Sequence, residues 1–114
     1  MSIQIYHNPR CSKSRATLAL LEANGHAPEV IEYLKNPPNT QTIRELVEKL
    51  GIKSHELLRK GESEYQSLAL QDPTDEQVVD AIVKHPILLQ RPIVVAGDRA
   101  AIGRPPEAVL DILS

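Results

Sequence analysis

One cysteine, Cys11, stands in the segment "YHNPRCSKSR" beside Arg10, Lys13 and Arg15, and no acidic residue precedes Glu22. A thiol acts as a nucleophile in its thiolate form, and nearby cations favour that form. The same charges attract an anionic substrate. A lone cysteine in a soluble domain is ordinarily a small buried hydrophobe. Here its neighbours are Arg10 and Ser12 rather than an apolar run, and Pro9 marks a loop, so the residue types point to a reactive thiol. His7, at the end of the preceding apolar alternation, is a candidate to tune it. Ser14 lies three places on, one helical turn away, where its hydroxyl can donate to the sulfur; Arg15 adds charge.

Several known chemistries fail at this spacing. Tyrosine-phosphatase-type loops place an arginine six residues after the nucleophile, but that position is Thr17. A dithiol redox centre needs C-x-x-C, and the partner position is Ser14. The chain therefore cannot resolve a sulfur adduct by itself, and a second thiol must come from outside. No metal site is expected: Pro9 falls in a turn between His7 and Cys11, and His26, His55 and His85 are isolated.

The elements that must position the thiol follow from periodicity. "IQIYH" alternates as a first strand, "NP" breaks it, and a helix is expected from about Ser12 to Ala23, stopped by Asn24-Gly25. Free N–H groups and the helix dipole at that start favour negative charge on Cys11. "EVIEY" reads as a second strand. "TIRELVEKLG" sets Ile43, Leu46, Val47 and Leu50 at helical spacing and ends at Gly51, while "SHELLRK" and "SEYQSLAL" read as shorter helices. "TDEQVVDAIVKHP" opens with a capping box, Thr74 to Gln77, and stops at Pro86. "IVVA" is a short buried strand, "GD" a hairpin turn, "AAIG" its partner, and "RPPEAVLDIL" a closing helix. The expected class is α/β: one domain over residues 1–114, in the order βαβ–helices–ββα, with residues 40–86 as a helical insertion.

At 114 residues the chain can bury a modest core without disulfides or a structural metal. The absence of a disulfide framework suggests a reducing compartment. With no basic-plus-apolar opening segment and no run of membrane-spanning length, a cytoplasmic location without membrane association is expected. A net charge of −2, a pI near 6.1 and only three tyrosines as aromatics argue against a nucleic-acid binder. Residues 1–21 carry +3 and the remainder −5, so the positive field at Cys11 is local.

At this point the chain resembles the glutaredoxin-dependent arsenate reductases. The likeness runs through "IYHNPRCSKSRATLALLEANG", "EYLKNPP", "ELLRKGESEY", "HPILLQRPIVV" and "IGRPPEAVLDIL", which is nearly the whole sequence. It implies a thioredoxin-like core with a helical insertion, and Cys11 as catalytic cysteine. It implies oxyanion-binding arginines at Arg59, Arg91 and Arg104, and a cis-proline at Pro92. Planar guanidinium groups suit a tetrahedral, doubly charged oxyanion. Arsenate would be the substrate, glutathione the co-substrate with no bound cofactor, and glutaredoxin the protein partner. Ser12-Lys13 replaces the Gly-Thr common in that family, and the chain stops at Ser114 after its closing helix, as expected of a short-chain, single-cysteine subgroup. Two other readings stand beside this one. "CSKS" has the spacing of a monothiol glutathione-dependent transferase, and the fold also includes non-enzymatic protein-interaction regulators.

Overall fold

Among the described residues four strands make one sheet. They are β1 (Ile3–His7), β2 (Glu29–Glu32), β3 (Ile93–Ala96) and β4 (Arg99–Ile102), in the order β2-β1-β3-β4. The computed structural model describes residues 2–113. β1 and β2 run parallel, with His7 opposite Glu32, and helix α1 (Ser12–Ala23) makes the crossover between them. β3 lies antiparallel to β1, with Ile93 opposite Tyr6, and β4 returns beside it. All four residues of β3 are buried, as a continuous apolar run in a central strand requires.

The sheet core forms where Ile5, Val94 and Ala96 meet Leu21 of α1 with Val109 and Ile112 of the last segment. That segment, Pro106–Ile112, is a 3-10 helix rather than the α-helix expected from its pattern. In a 3-10 helix side chains three apart eclipse, so Val109 and Ile112 both turn to the core. This βαβ–ββα order, with helices between its halves, is the thioredoxin-like arrangement expected from the sequence.

The chain divides into two compact units, and Pro37–Gln90 makes the second. It holds α2 (Thr40–Leu50), α3 (Ser63–Leu68) and α4 (Asp75–Lys84). Asn39 caps α2 by accepting from the Thr42 N–H at 2.9 Å, and Gly51, with φ of 66°, ends it in the left-handed region. The Thr74–Gln77 capping box is present at the start of α4. Ile43 and Leu46 from α2, Val78 and Ile82 from α4, and Leu57 and Leu88 from the connections are among the buried side chains of this unit. "SHELLRK" shortens to a 3-10 turn at Ser54–Leu57, because Leu58 leaves it to bridge Leu89. Among the described residues no helix is long and apolar enough to cross a membrane.

Candidate active site around Cys11

Cys11 is the N-cap residue of α1, with extended backbone at φ −96° and ψ 123°. Its own N–H donates to the Asn8 carbonyl at 3.0 Å, which closes a tight turn between β1 and α1. Asn8 reinforces that turn, its side-chain oxygen accepting from the Arg10 N–H at 3.0 Å. The sulfur thus sits, partly exposed, over the free N–H groups of the first helical turn.

Burial is the largest single influence on the thiol and pushes its pKa up. The backbone N–H of Ser14, a hydrogen bond from Arg91, the Arg91 charge and the Lys13 N–H together outweigh it, and the pKa falls below that of an ordinary thiol. Arg104 adds a direct contact, with Nη2 3.8 Å from Sγ. Two guanidinium groups therefore act on one sulfur: Arg104 by contact, Arg91 by hydrogen bond and charge.

The strands explain why these arginines meet. Arg91 stands two residues before β3 and Arg104 two residues after β4, and pairing of Ile93 with Ile102 brings both ends of the hairpin together. The Arg104 Nε donates to the Arg91 carbonyl at 2.8 Å, and the Gly103 N–H donates to the Pro92 carbonyl at 2.9 Å. The Arg91–Pro92 peptide bond is cis, as is Arg104–Pro105.

Behind the thiol lies a buried polar pair. His7 Nδ1 and Ser14 Oγ share a hydrogen bond of 2.6 Å, and the Asn8 N–H donates to the same hydroxyl at 3.0 Å. The Ser14 hydroxyl is thereby engaged with His7 and Asn8, and it is the Ser14 backbone N–H that acts on the sulfur. Burial foremost lowers the His7 pKa; the Arg15 charge acts in the same direction and Glu32 opposes both. A neutral imidazole at Nδ1 can then accept the serine proton. Arg15 itself turns to the loop, donating from Nη1 to the Pro9 carbonyl at 2.9 Å.

Arg59 belongs to the helical unit. There its N–H donates to the Leu88 carbonyl at 2.7 Å, and its Nε pairs with Glu62 at 3.2 Å. Two residues that the sequence reading passed over contribute around Cys11. Asn8 holds the turn, and "NP" signalled the break without indicating this bonding. Tyr33 is fully buried, and burial foremost raises its phenol pKa, while Arg91 and Asn8 lower it. Among the described residues its hydroxyl has no partner in full hydrogen-bond geometry, and Arg91 acts on it by charge and, with Asn8, through weaker hydrogen-bonding approach. No local sequence signal marks Tyr33, because its role depends on a residue 58 positions later in the chain.

The site combines an activated thiol with convergent guanidinium groups, which suits nucleophilic attack on a small oxyanion. The ArsC family model matches residues 6–112. A protein of Escherichia coli, uncharacterized protein YfgD, is 51% identical over 97% of this chain and 96% of its own length. The arsenate reductase of Neisseria meningitidis serogroup A is 45% identical, with 97% of each chain covered. A solved structure, arsenate reductase from Vibrio cholerae, superposes with a TM-score of 0.93 at 45% identity and covers 98% of both chains.

Proposed function

The chain belongs to the ArsC family, and from that premise we propose that it reduces arsenate to arsenite through a covalent adduct on Cys11. The observation that carries this reading is the lowered thiol pKa of Cys11 with the Arg104 guanidinium 3.8 Å away and Arg91 beside it. The Cys11 thiolate attacks arsenic, a sulfur–arsenic bond forms, and an arsenic oxygen leaves as hydroxide or, once protonated, as water. Arg91 and Arg104 hold the remaining oxygens and offset the charge that builds on them. Arg59, which the resemblance also assigns to the anion, is the guanidinium whose charge Glu62 already partly neutralises.

Glutathione thiolate then attacks the Cys11 sulfur. The electron pair of the sulfur–arsenic bond stays on arsenic, which passes from pentavalent to trivalent and leaves as arsenite. A Cys11–glutathione disulfide remains. Glutaredoxin attacks the glutathione sulfur and releases the Cys11 thiolate, so the two electrons gained by arsenic come from two thiols. A chain with one cysteine needs such outside thiols.

The test is arsenite formation from arsenate by the purified protein with glutathione and glutaredoxin, run beside Cys11→Ser. Activity that disappears with the cysteine supports the reading. Turnover of glutathionylated model disulfides without any arsenite would replace it with a monothiol transferase.

A further inference from the structure

The sheet order gives the Cys11 loop two unlike neighbours. On the β3 side stand Arg91 and Arg104, the anion-holding groups. On the other side β2 runs parallel to β1, so the residues after Glu32 leave the sheet at the same end as those after His7. There Pro9 and Arg10 face Leu34 and Lys35 across a cavity of about 190 Å³, with His7, Asn8 and Glu32 completing its lining. Leu34 is 43% exposed; with Val30 it is one of two large apolar side chains left open to solvent among the described residues. Lys35 pairs with Glu32 at 3.6 Å, while among the described residues no acidic group pairs with Arg10 or the nearby Lys13, which carry positive charge beside the thiol.

We propose that this face, Pro9–Arg10 with Leu34–Lys35, is where the protein thiol that regenerates Cys11 docks, and that its partner presents an apolar side chain ringed by acidic groups beside its own cysteine. The inference rests on one part of the functional reading, the external protein thiol. The cavity is smaller than the ~300–1,000 Å³ typical of small-molecule sites, so it suits one inserted side chain rather than a whole glutathione. A second copy of this chain would bring the same cations against themselves, which disfavours self-pairing. Placing the partner on the β2 side leaves the arginine side free for the anion. In the chemical step the partner thiolate attacks the glutathione sulfur, a new sulfur–sulfur bond forms, and Cys11 leaves as thiolate.

The test starts from the preformed Cys11–glutathione disulfide of the full chain, reduced either by purified glutaredoxin or by dithiothreitol. Leu34→Glu is expected to slow the glutaredoxin reaction about tenfold, the equivalent of ~1.4 kcal/mol, and to leave the dithiothreitol rate within about twofold. Added salt should slow the glutaredoxin reaction of the native chain more than that of Lys35→Glu. Three results would overturn the proposal: equal slowing with both reductants, no effect with either, or a native chain that glutaredoxin reduces no faster than dithiothreitol does. Concentration-dependent dimerisation abolished by Leu34→Glu would assign the face to a second copy instead. The assay contains no arsenate, so a failure to form arsenite would remove the functional reading without touching this result.

Discussion

Arg104 Nη2 lies 3.8 Å from Cys11 Sγ although 93 positions separate the two residues. The contact is held from behind, since Arg104 Nε donates to the Arg91 carbonyl at 2.8 Å. One guanidinium thus ties the hairpin exit to the Cys11 sulfur, and under the proposed function its remaining donors take the anion. Arg104→Gln should lower kcat/KM for arsenate by about tenfold or more, as expected for losing a charged hydrogen bond in the transition state. Arg104→Lys should recover little, because an ammonium cannot bond both the Arg91 carbonyl and the sulfur side through a planar fork. Steady-state kinetics of the two variants decide the point. Full activity in Arg104→Gln would remove this residue from the anion site.

The thiol supplies a pH signature. Its reactive form is the thiolate, so alkylation accelerates as pH rises through the Cys11 pKa, which lies below the ordinary thiol value. Iodoacetamide labelling should therefore reach half its maximal rate at lower pH than a cysteine in the unfolded chain. Arg91→Gln removes both a hydrogen bond and a charge that favour the thiolate, and should move the midpoint upward. A midpoint unmoved by this change would leave the helix N–H groups and Arg104 as the sources of activation.

Ser14→Ala strips the shared acceptor from behind the thiol. The Asn8 N–H and His7 Nδ1 are both buried and would lose their partner. Leaving such groups unsatisfied costs about 1–3 kcal/mol each, less whatever water recovers. A lower midpoint in urea at unchanged slope is the expected outcome. Alkylation of Cys11 should persist, because the Ser14 backbone N–H survives the substitution.

His7 links stability to pH. Its pKa is lowered in the folded chain from 6.5, so the unfolded chain takes up the proton first. The stability this contributes is present above 6.5 and is lost as pH falls from there through the folded value. Denaturation of the native chain between about pH 7 and 5 should show that loss, and His7→Gln should flatten the curve. Identical slopes for the two proteins would assign the acid sensitivity to other groups.

Gly103→Ala tests how tightly the hairpin end is packed. A Cβ there would fall 2.5 Å from Thr17 Oγ1 and 2.7 Å from Pro92 Cγ. Thr17 is fully buried and its hydroxyl is committed to the Lys13 carbonyl at 2.8 Å, so neither neighbour is a free side-chain end. Overpacking of this kind costs about 1–3 kcal/mol. Since Gly103 sits between Arg104 and the ring of Pro92, the variant should also show altered Cys11 alkylation. A change in stability alone would mean that the strain relaxes away from the site.

Much of the site's local half is legible in residue order. "NP" before Cys11 and the apolar run after it place the thiol at a helix start, and α1 spans Ser12–Ala23 as the periodicity requires. The Thr74–Gln77 box likewise needs only a few consecutive residues to form, and both of its hydrogen bonds are present. Where neighbours from afar compete, local reading loses detail. "EVIEY" ends as a strand at Glu32, and Tyr33 turns inward beside Arg91. Leu58 abandons its helical turn for Leu89, and the final segment tightens into 3-10 geometry so that Val109 and Ile112 reach the core together.

By itself the sequence determined the lone cysteine, its basic setting and the order of the elements. These depend on residue type and on spacings of a few positions. Strand neighbours and directions are another matter. The apolar run of β3 says that it is buried on both faces, not that it lies antiparallel to β1 with β4 beyond it. Only that non-local pairing sets Arg91 and Arg104 against Cys11 on one side and Leu34 on the other. Local period selects a strand or a helix, whereas the partner of a strand is chosen by what the whole sheet can bury at once.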